Sequence, residues 1–275
     1  MNTLARSAKR VYVFLFVRKA FYSFHLLFYK LSMFGLGIRN HENEVVSGEK
    51  AFIRYLINRG KLSSGAILDI GANVGNYSIM LRNNKIRLPI YAFEPHPVAF
   101  RRLETAAAEY AFTAVPLGAG ETRTTAAIYD YQGEGGSEHA SMYKGVIEEL
   151  HKGQAEAVAI ELTTIDAFVA AHNISRIALL KIDTEGHELS VLKGAQECIR
   201  KGMAEAIQIE FNEMNVISRT FFKDIIDLLP GYDFYRLLPD GLKALGKYNT
   251  TGFEIFLFQN VVALKKETEG IRTAV

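Results

Sequence analysis

The 275-residue sequence predicts an α/β domain built from βα units around a mostly parallel sheet, preceded by a helical arm. Three observations lead there. Residues 67–80, ILDIGANVGNYSIM, read as a short apolar strand, a turn bracketed by Gly71 and Gly75, and the start of an amphipathic helix. Further apolar runs at residues 89–93, 178–182 and 206–211 each lead into acidic or amide side chains, and helical patterns separate them, as parallel strands require. The first 40 residues differ in kind: they hold seven basic residues and no acid among clustered aromatic and aliphatic side chains.

With 49% hydrophobic residues the chain is long enough for a full core. The expected organisation is an arm over residues 1–44, one domain over 45–265 and a polar tail over 266–275. The lone cysteine, Cys198, excludes an internal disulfide framework, reads as a small buried hydrophobe and fits a reducing, cytoplasmic compartment. Net charge is +2 overall; once the seven basic residues of the arm are set apart, 25 basic and 30 acidic residues leave the body at −5. A nucleic-acid enzyme carries its positive charge around its cleft, so nucleic acid is not an expected partner.

In order along the chain, residues 11–34 are rich in aromatic and aliphatic side chains, but Arg18, Lys19, His25 and Lys30 interrupt them before the length of a membrane helix is reached. No small-residue cleavage site follows, so a signal peptide is not expected. Two readings stand: a helix lying on an anionic membrane at the inner face of the plasma membrane, or a helix packed on the body. Residues 51–59 form an amphipathic helix stopped by Gly60. Pro97 fits the first turn of a helix after the second strand, and residues 111–117 read as a third strand. Residues 121–153 break the alternation and read as an insertion over the cofactor edge. Helices are expected over 189–200 and 218–229, and strands over 232–238 and 260–264 with a turn at 239–241.

The first turn carries chemistry. It reads DxGxxxG, and the dinucleotide fingerprint would need glycine where Asn73 and Asn76 stand, which argues against an NAD-dependent oxidoreductase. Asp69 before the first glycine suits a cofactor with a cationic amino-acid end. Gly71 permits positive φ and close approach of a ligand to bare backbone. Glu94, ending the next strand, is placed to accept ribose hydroxyls. Together these indicate S-adenosylmethionine, held by Asp69, Gly71, Ala72, Asn73, Gly75, Asn76, Glu94 and Pro95.

The second cluster follows the 178–182 strand, where Asp183, Thr184, Glu185, Gly186, His187 and Glu188 crowd around one glycine. Ligands of open parallel sheets sit beyond the carboxyl ends of strands, so this cluster and Glu210, Asn212 and Glu213 are expected to face the reactive end of the cofactor. Acids capping the next helix are the structural alternative for Glu185 and Glu188.

The segments ILDIGANVGNYS, YAFEPHPVAF, LLKIDTEGHELSVLKGA and IQIEFNE resemble, in that order, the FkbM family of S-adenosylmethionine-dependent O-methyltransferases, over residues 45–265. The resemblance implies a class I methyltransferase (Rossmann-like) fold with seven strands, the last antiparallel, and methylation of a hydroxyl on a sugar, glycolipid, surface polysaccharide or polyketide. It sets Asp69, Gly71, Asn73 and Gly75 on the first cofactor motif, Glu94 on the ribose position, and Asp183, Glu185, Gly186 and His187 on an acidic glycine motif. Residues 1–40 lie outside it.

Methyl transfer to a hydroxyl needs an aligned acceptor oxygen that loses its proton during attack. Two arrangements fit. In one, His187 is the general base, with Asp183 orienting it or the acceptor, and Glu185 beside them. In the other, Asp183, Glu210 and Asn212 hold a divalent ion such as Mg²⁺, in partial resemblance to catechol-type O-methyltransferases. The base arrangement is favoured because Asp183 and His187 share one tight motif. N-methylation is disfavoured by the lack of an Asn-Pro-Pro-type clamp, and a non-catalytic scaffold by the intact acidic clusters.

Overall fold

The computed structural model describes residues 3–133 and 135–267, so the expected tail lies outside the described residues from residue 268 onward. Eleven strands are present in them: β1 (Ala66–Ile70), β2 (Ile90–Phe93), β3 (Thr113–Val115), β4 (Gly118–Ala119), β5 (Thr124–Tyr131), β6 (Ala155–Thr163), β7 (Ile177–Ile182), β8 (Ala206–Phe211), β9 (Tyr232–Leu238), β10 (Gly241–Ala244) and β11 (Gln259–Lys265). The main sheet runs β10-β9-β11-β8-β7-β1-β2-β3. Pairings among β3, β2, β1, β7 and β8 are parallel, and β11 is antiparallel to both β8 and β9.

The sheet therefore has eight strands where seven were expected. The extra strand, β10, is a hairpin return on β9 whose side chains are exposed or half-buried. Residues so short and so little buried carry no alternation for a sequence pattern to reveal. Chain order reverses between β1 and β7, which sets a crevice at their carboxyl ends.

Every residue of β1 and β7 is buried, as expected of strands covered on both faces. Leu68, Ile70, Leu180 and Ile182 pack with the helices Ile165–Ala171, Glu188–Lys193 and Phe222–Leu228. Ile67 and Leu179 pack on the other face with Glu49–Asn58, Asn76–Asn83 and Pro97–Tyr110. Two expected helices are broken. Residues 189–200 divide at Gly194, where a side chain would overlap the Gly120 carbonyl. Residues 218–229 give way to Met214–Ser218 and Phe222–Leu228, separated by Arg219 at φ 57°.

The expected insertion is half sheet. β5 pairs antiparallel with β6, β4 joins the far edge of β6, and the connection from β5 passes through a short helix, Val146–Leu150.

The arm forms two helices, Thr3–Phe16 and Tyr22–Gly35, bent by 92°. Among the described residues, no single helix is long and apolar enough to cross a membrane. Of the 22 exposed large apolar side chains among the described residues, eighteen lie between Leu4 and Leu36, and of the second helix only Met33 is buried. The arm is thus not a helix packed along the body. It joins the body at Ile38, which is fully buried, so residues 39–44, expected within the arm, already lie against the domain.

Candidate active site

The crevice opens into a cavity of about 1000 Å³ lined by Gly71, Ala72, Asn73, Asn76, Glu94 and Pro95 on one side. Asp183, Glu185, His187, Glu210 and Asn212 line it as well. The structure therefore joins the two sequence clusters around one space. Gly71 has φ 79°, and a Cβ on it would overlap the Asp183 carbonyl oxygen, so this glycine lets the turn close onto the end of β7. Gly75 has φ 93°, and a Cβ would meet Leu103 Cδ1 at 2.9 Å; its role is helix packing, and it does not line the cavity.

Glu94 is buried, and each carboxylate oxygen accepts one backbone N–H: Oε2 from Asn73 at 2.9 Å and Oε1 from His96 at 2.8 Å. Both oxygens keep a free lone pair. Burial raises its pKa to about 7 against the opposing effect of those N–H groups.

Asp69, read as the partner of a cofactor ammonium, lies beneath the turn and does not line the cavity. It is fully buried, accepts from Ser78 Oγ at 2.8 Å, and sits 3.7 Å from Lys181 Nζ. Lys181 donates to Asp183 Oδ2 at 3.0 Å. Burial opposes the lysine's charge, yet Asp183, Asp69 and Glu49 outweigh it and hold its pKa above the ordinary value. Sequence reasoning alone gives Lys181 no role. Its signal was present as the one cation in a continuous apolar strand, opposite the one acid of the neighbouring strand.

Beyond β7 the acids take different roles. Glu188 is the structural one: its Oε1 accepts from Thr184 N and Gly186 N at 3.0 Å and from Thr184 Oγ1 at 3.1 Å, which folds the turn. Glu185, at φ 51°, lines the cavity, and its carbonyl accepts from Ser141 Oγ at 2.7 Å. One carboxylate oxygen from each of Asp183, Glu185 and Glu210 falls within 4.8 Å of the others. Burial first, then the neighbouring carboxylates, raise Glu210, while burial foremost raises Glu185 to about 7. Asn212 donates its amide to Glu185 at 3.1 Å and Glu210 at 3.0 Å, and its oxygen accepts Met214 N–H. That last bond fixes the amide's orientation, so the oxygen proposed as a metal ligand points away; the grouped carboxylates are Asp183, Glu185 and Glu210.

His187 and Asp183 share no hydrogen bond. The imidazole's side-chain partner is Tyr143, whose hydroxyl lies 3.5 Å from Nδ1, while Nε2 is sealed from solvent without a partner. Burial lowers the His187 pKa to about 4. A base so weak, with one nitrogen sealed, is poorly suited to the general-base role expected of His187.

The insertion forms the cover. Asp130, 2% exposed, accepts from Gly136 N at 2.8 Å and Ser137 N at 3.0 Å and bonds the Ser137 hydroxyl. This holds residues 135–137 so that the Ser137 carbonyl accepts from Asn73 Nδ2 at 3.1 Å. His139 from the same segment lies 3.7 Å from Glu185 Oε1. The sequence marked this segment as an insertion but assigned no role to His139 or Tyr143, because aperiodic loops give no register for their side chains.

Residues 69–235 match the family model described as the methyltransferase FkbM domain. The chain is 26% identical over 146 residues to the hexuronic acid methyltransferase AglP of Haloferax volcanii, covering 53% of this chain and 55% of that protein. It is 28% identical over 191 residues to the AMB antimetabolite synthetase AmbE of Pseudomonas aeruginosa, covering 57% of this chain and 9% of that one. The chain thus spans about half of the first relative and a tenth of the second. Among solved structures it is similar to the methyltransferase FkbM of Methylobacillus flagellatus KT, with 16% identity, a TM-score of 0.45, and coverage of 73% of this chain and 43% of that chain. The family match takes in both the glycine turn and the acidic cluster that line the cavity, and on that match the chain belongs to the FkbM methyltransferase family.

Proposed function

We propose that this protein transfers the methyl group of S-adenosylmethionine to a hydroxyl oxygen of a saccharide or saccharide-bearing acceptor. The observation that carries the proposal is the convergence of Glu94 and Glu185 on one cavity from opposite sides of the strand-order reversal. The donor set fits the cofactor. Glu94 offers two oriented acceptor oxygens for ribose hydroxyls, and the turn at Gly71, Ala72, Asn73 and Asn76 presents backbone and amide groups beside it. When bound, S-adenosylmethionine supplies an electrophilic sulfonium methyl.

The remaining work falls to this chain. Asp183, Glu185 and Glu210 make an acid-lined end where an acceptor hydroxyl can be hydrogen-bonded and aligned. Glu185, poised near neutrality and adjoining His139, takes the hydroxyl proton onto its carboxylate. Lys181 balances part of the negative charge and holds Asp183 in place. The saccharide class is supported by similarity to a hexuronic acid methyltransferase.

A tritiated-methyl transfer screen against nucleotide sugars, glycolipids and polysaccharide fractions tests the reaction; label on none of them, with the cofactor bound, would sink it. For the cofactor, Glu94→Ala is expected to weaken S-adenosylmethionine binding by about 1.5–3 kcal/mol, since it removes a buried acceptor of two hydroxyls. Calorimetry reads this directly. Unchanged affinity, or tighter binding of NAD than of S-adenosylmethionine by the unmodified protein, overturns the assignment.

A further inference from the structure

We infer that the arm docks this enzyme on an anionic bilayer, and that the acceptor is consequently a hydroxyl on a headgroup carried by a lipid in that bilayer. The second half of this rests on the methyl-transfer reading above; the first does not. Among the described residues, the apolar side chains of the arm are exposed to a degree the others avoid, with eighteen of the 22 exposed large apolar residues between Leu4 and Leu36. Such a surface calls for an apolar partner.

Three observations identify the partner. The helix Thr3–Phe16 puts Leu4, Ala8, Val11 and Leu15 along one face and Arg6, Lys9 and Arg10 along another, the pattern of a helix lying in a membrane interface. Each arm helix has 14 residues, about 21 Å at 1.5 Å per residue, short of the roughly 30 Å hydrocarbon core, and the 92° bend sets Arg18 and Lys19 between them. The bend is held internally: Tyr12 Oη lies 3.2 Å from His25 Nδ1, and His25 Nε2 lies 3.2 Å from the Phe16 carbonyl. Finally, residues 1–40 hold seven basic residues and no acid. A second copy of this arm would oppose like charge to like charge, whereas an anionic lipid surface supplies negative charge and hydrocarbon together.

The root of the arm explains why docking bears on the acceptor. Gly37, at φ 78°, lies so close to β9 that a Cβ would meet the Leu237 carbonyl oxygen at 2.7 Å. Ile38 is fully buried, and Arg39 N donates to the Phe258 carbonyl at 2.7 Å. Arg39, His41 and Phe258 in turn line the cavity. The arm is thus clamped to the cavity's own wall, and a bilayer holding the arm is held beside that wall.

Sedimentation of the full chain with phosphatidylcholine vesicles, with and without phosphatidylglycerol, tests the docking. Binding is expected to the anionic vesicles, to fall as salt is raised, and to drop on the order of fivefold for each of Lys9→Gln and Arg10→Gln. These residues are exposed, and both variants should bind S-adenosylmethionine as the unmodified protein does. Equal sedimentation with neutral and anionic vesicles, or with neither, overturns the docking. For the acceptor, vesicles made from whole-cell lipid are incubated with the enzyme and tritiated S-adenosylmethionine. Label in the organic extract that declines in the Lys9→Gln/Arg10→Gln variant is the expected result. Label confined to water-soluble acceptors, at equal rates in both proteins, overturns the lipid-borne acceptor while leaving methyl transfer intact.

Discussion

Glu185→Gln is expected to slow methyl transfer by about 10²–10⁴-fold, with S-adenosylmethionine affinity unchanged. The glutamine keeps the shape of the side chain and removes its capacity to take a proton. The unmodified enzyme should gain turnover as pH rises through about 7, where burial has moved the Glu185 carboxyl, and the variant should lose that rise. Stability runs the other way. A carboxyl raised from 4.5 to about 7 in the fold contributes stability that is fully present below pH 4.5 and lost as pH rises through about 7. Glu94 is raised to about 7 as well and acts in the same direction, so the melting temperature of the ligand-free protein should fall across this window, less steeply in Glu185→Gln. His187→Gln should cost far less, since its Nε2 is sealed and its Nδ1 faces Tyr143. If His187→Gln is the slower variant, the proton goes to the imidazole. If EDTA abolishes turnover and Mg²⁺ restores it, the three carboxylates hold a cation and Glu185 is a ligand.

Gly71→Ala is expected to remove cofactor binding and to destabilise the ligand-free fold by about 3–5 kcal/mol. Sequence reasoning explains Gly71 by close approach of a ligand, which would make the substitution costly for binding alone. In the structure the new methyl group overlaps the Asp183 carbonyl oxygen, so the turn and the end of β7 must part. Gly60→Ala is the control. Gly60 has a comparable φ of 65° with nothing within 4 Å of an added Cβ, so only the backbone strain remains, about 1 kcal/mol. Urea unfolding of both variants separates the terms; equal midpoints would show that the Gly71 turn relaxes freely.

What the sequence reveals and what it hides divide along physical lines. Strands β1, β7 and β8 are apolar runs covered on both faces, and runs of that kind are conspicuous without any partner in view. Glu94, Asp183, Glu185 and Glu210 are legible for the same reason, as charges at the ends of such runs. Asp69 is misread because its chemistry depends on a neighbour 112 positions away, Lys181, which only strand pairing supplies. His187 is drawn to Asp183 by sequence proximity, yet the left-handed backbone at Glu185 and Gly186 turns the chain between them. Strand β6 escapes notice because its first five residues are all exposed or half-buried, leaving little contrast between its faces.

Asp69, Lys181 and Gln208 stand in one row across β1, β7 and β8. In strands that are apolar on both faces, a register slip moves no hydrophobic side chain into water, so burial alone hardly fixes the pairing. With β7 displaced by two positions, Ile67 or Gly71 would face Lys181; the ammonium would keep Asp183 on its own strand, but the fully buried Asp69 carboxylate would lose its cation and retain only the Ser78 hydroxyl, at a cost of several kcal/mol. The row therefore works as an alignment mark. It rejects the mispairings that greasy strands would otherwise accept, and it does so in the seam where an error would carry Asp183 and Glu185 away from the glycine turn they must face.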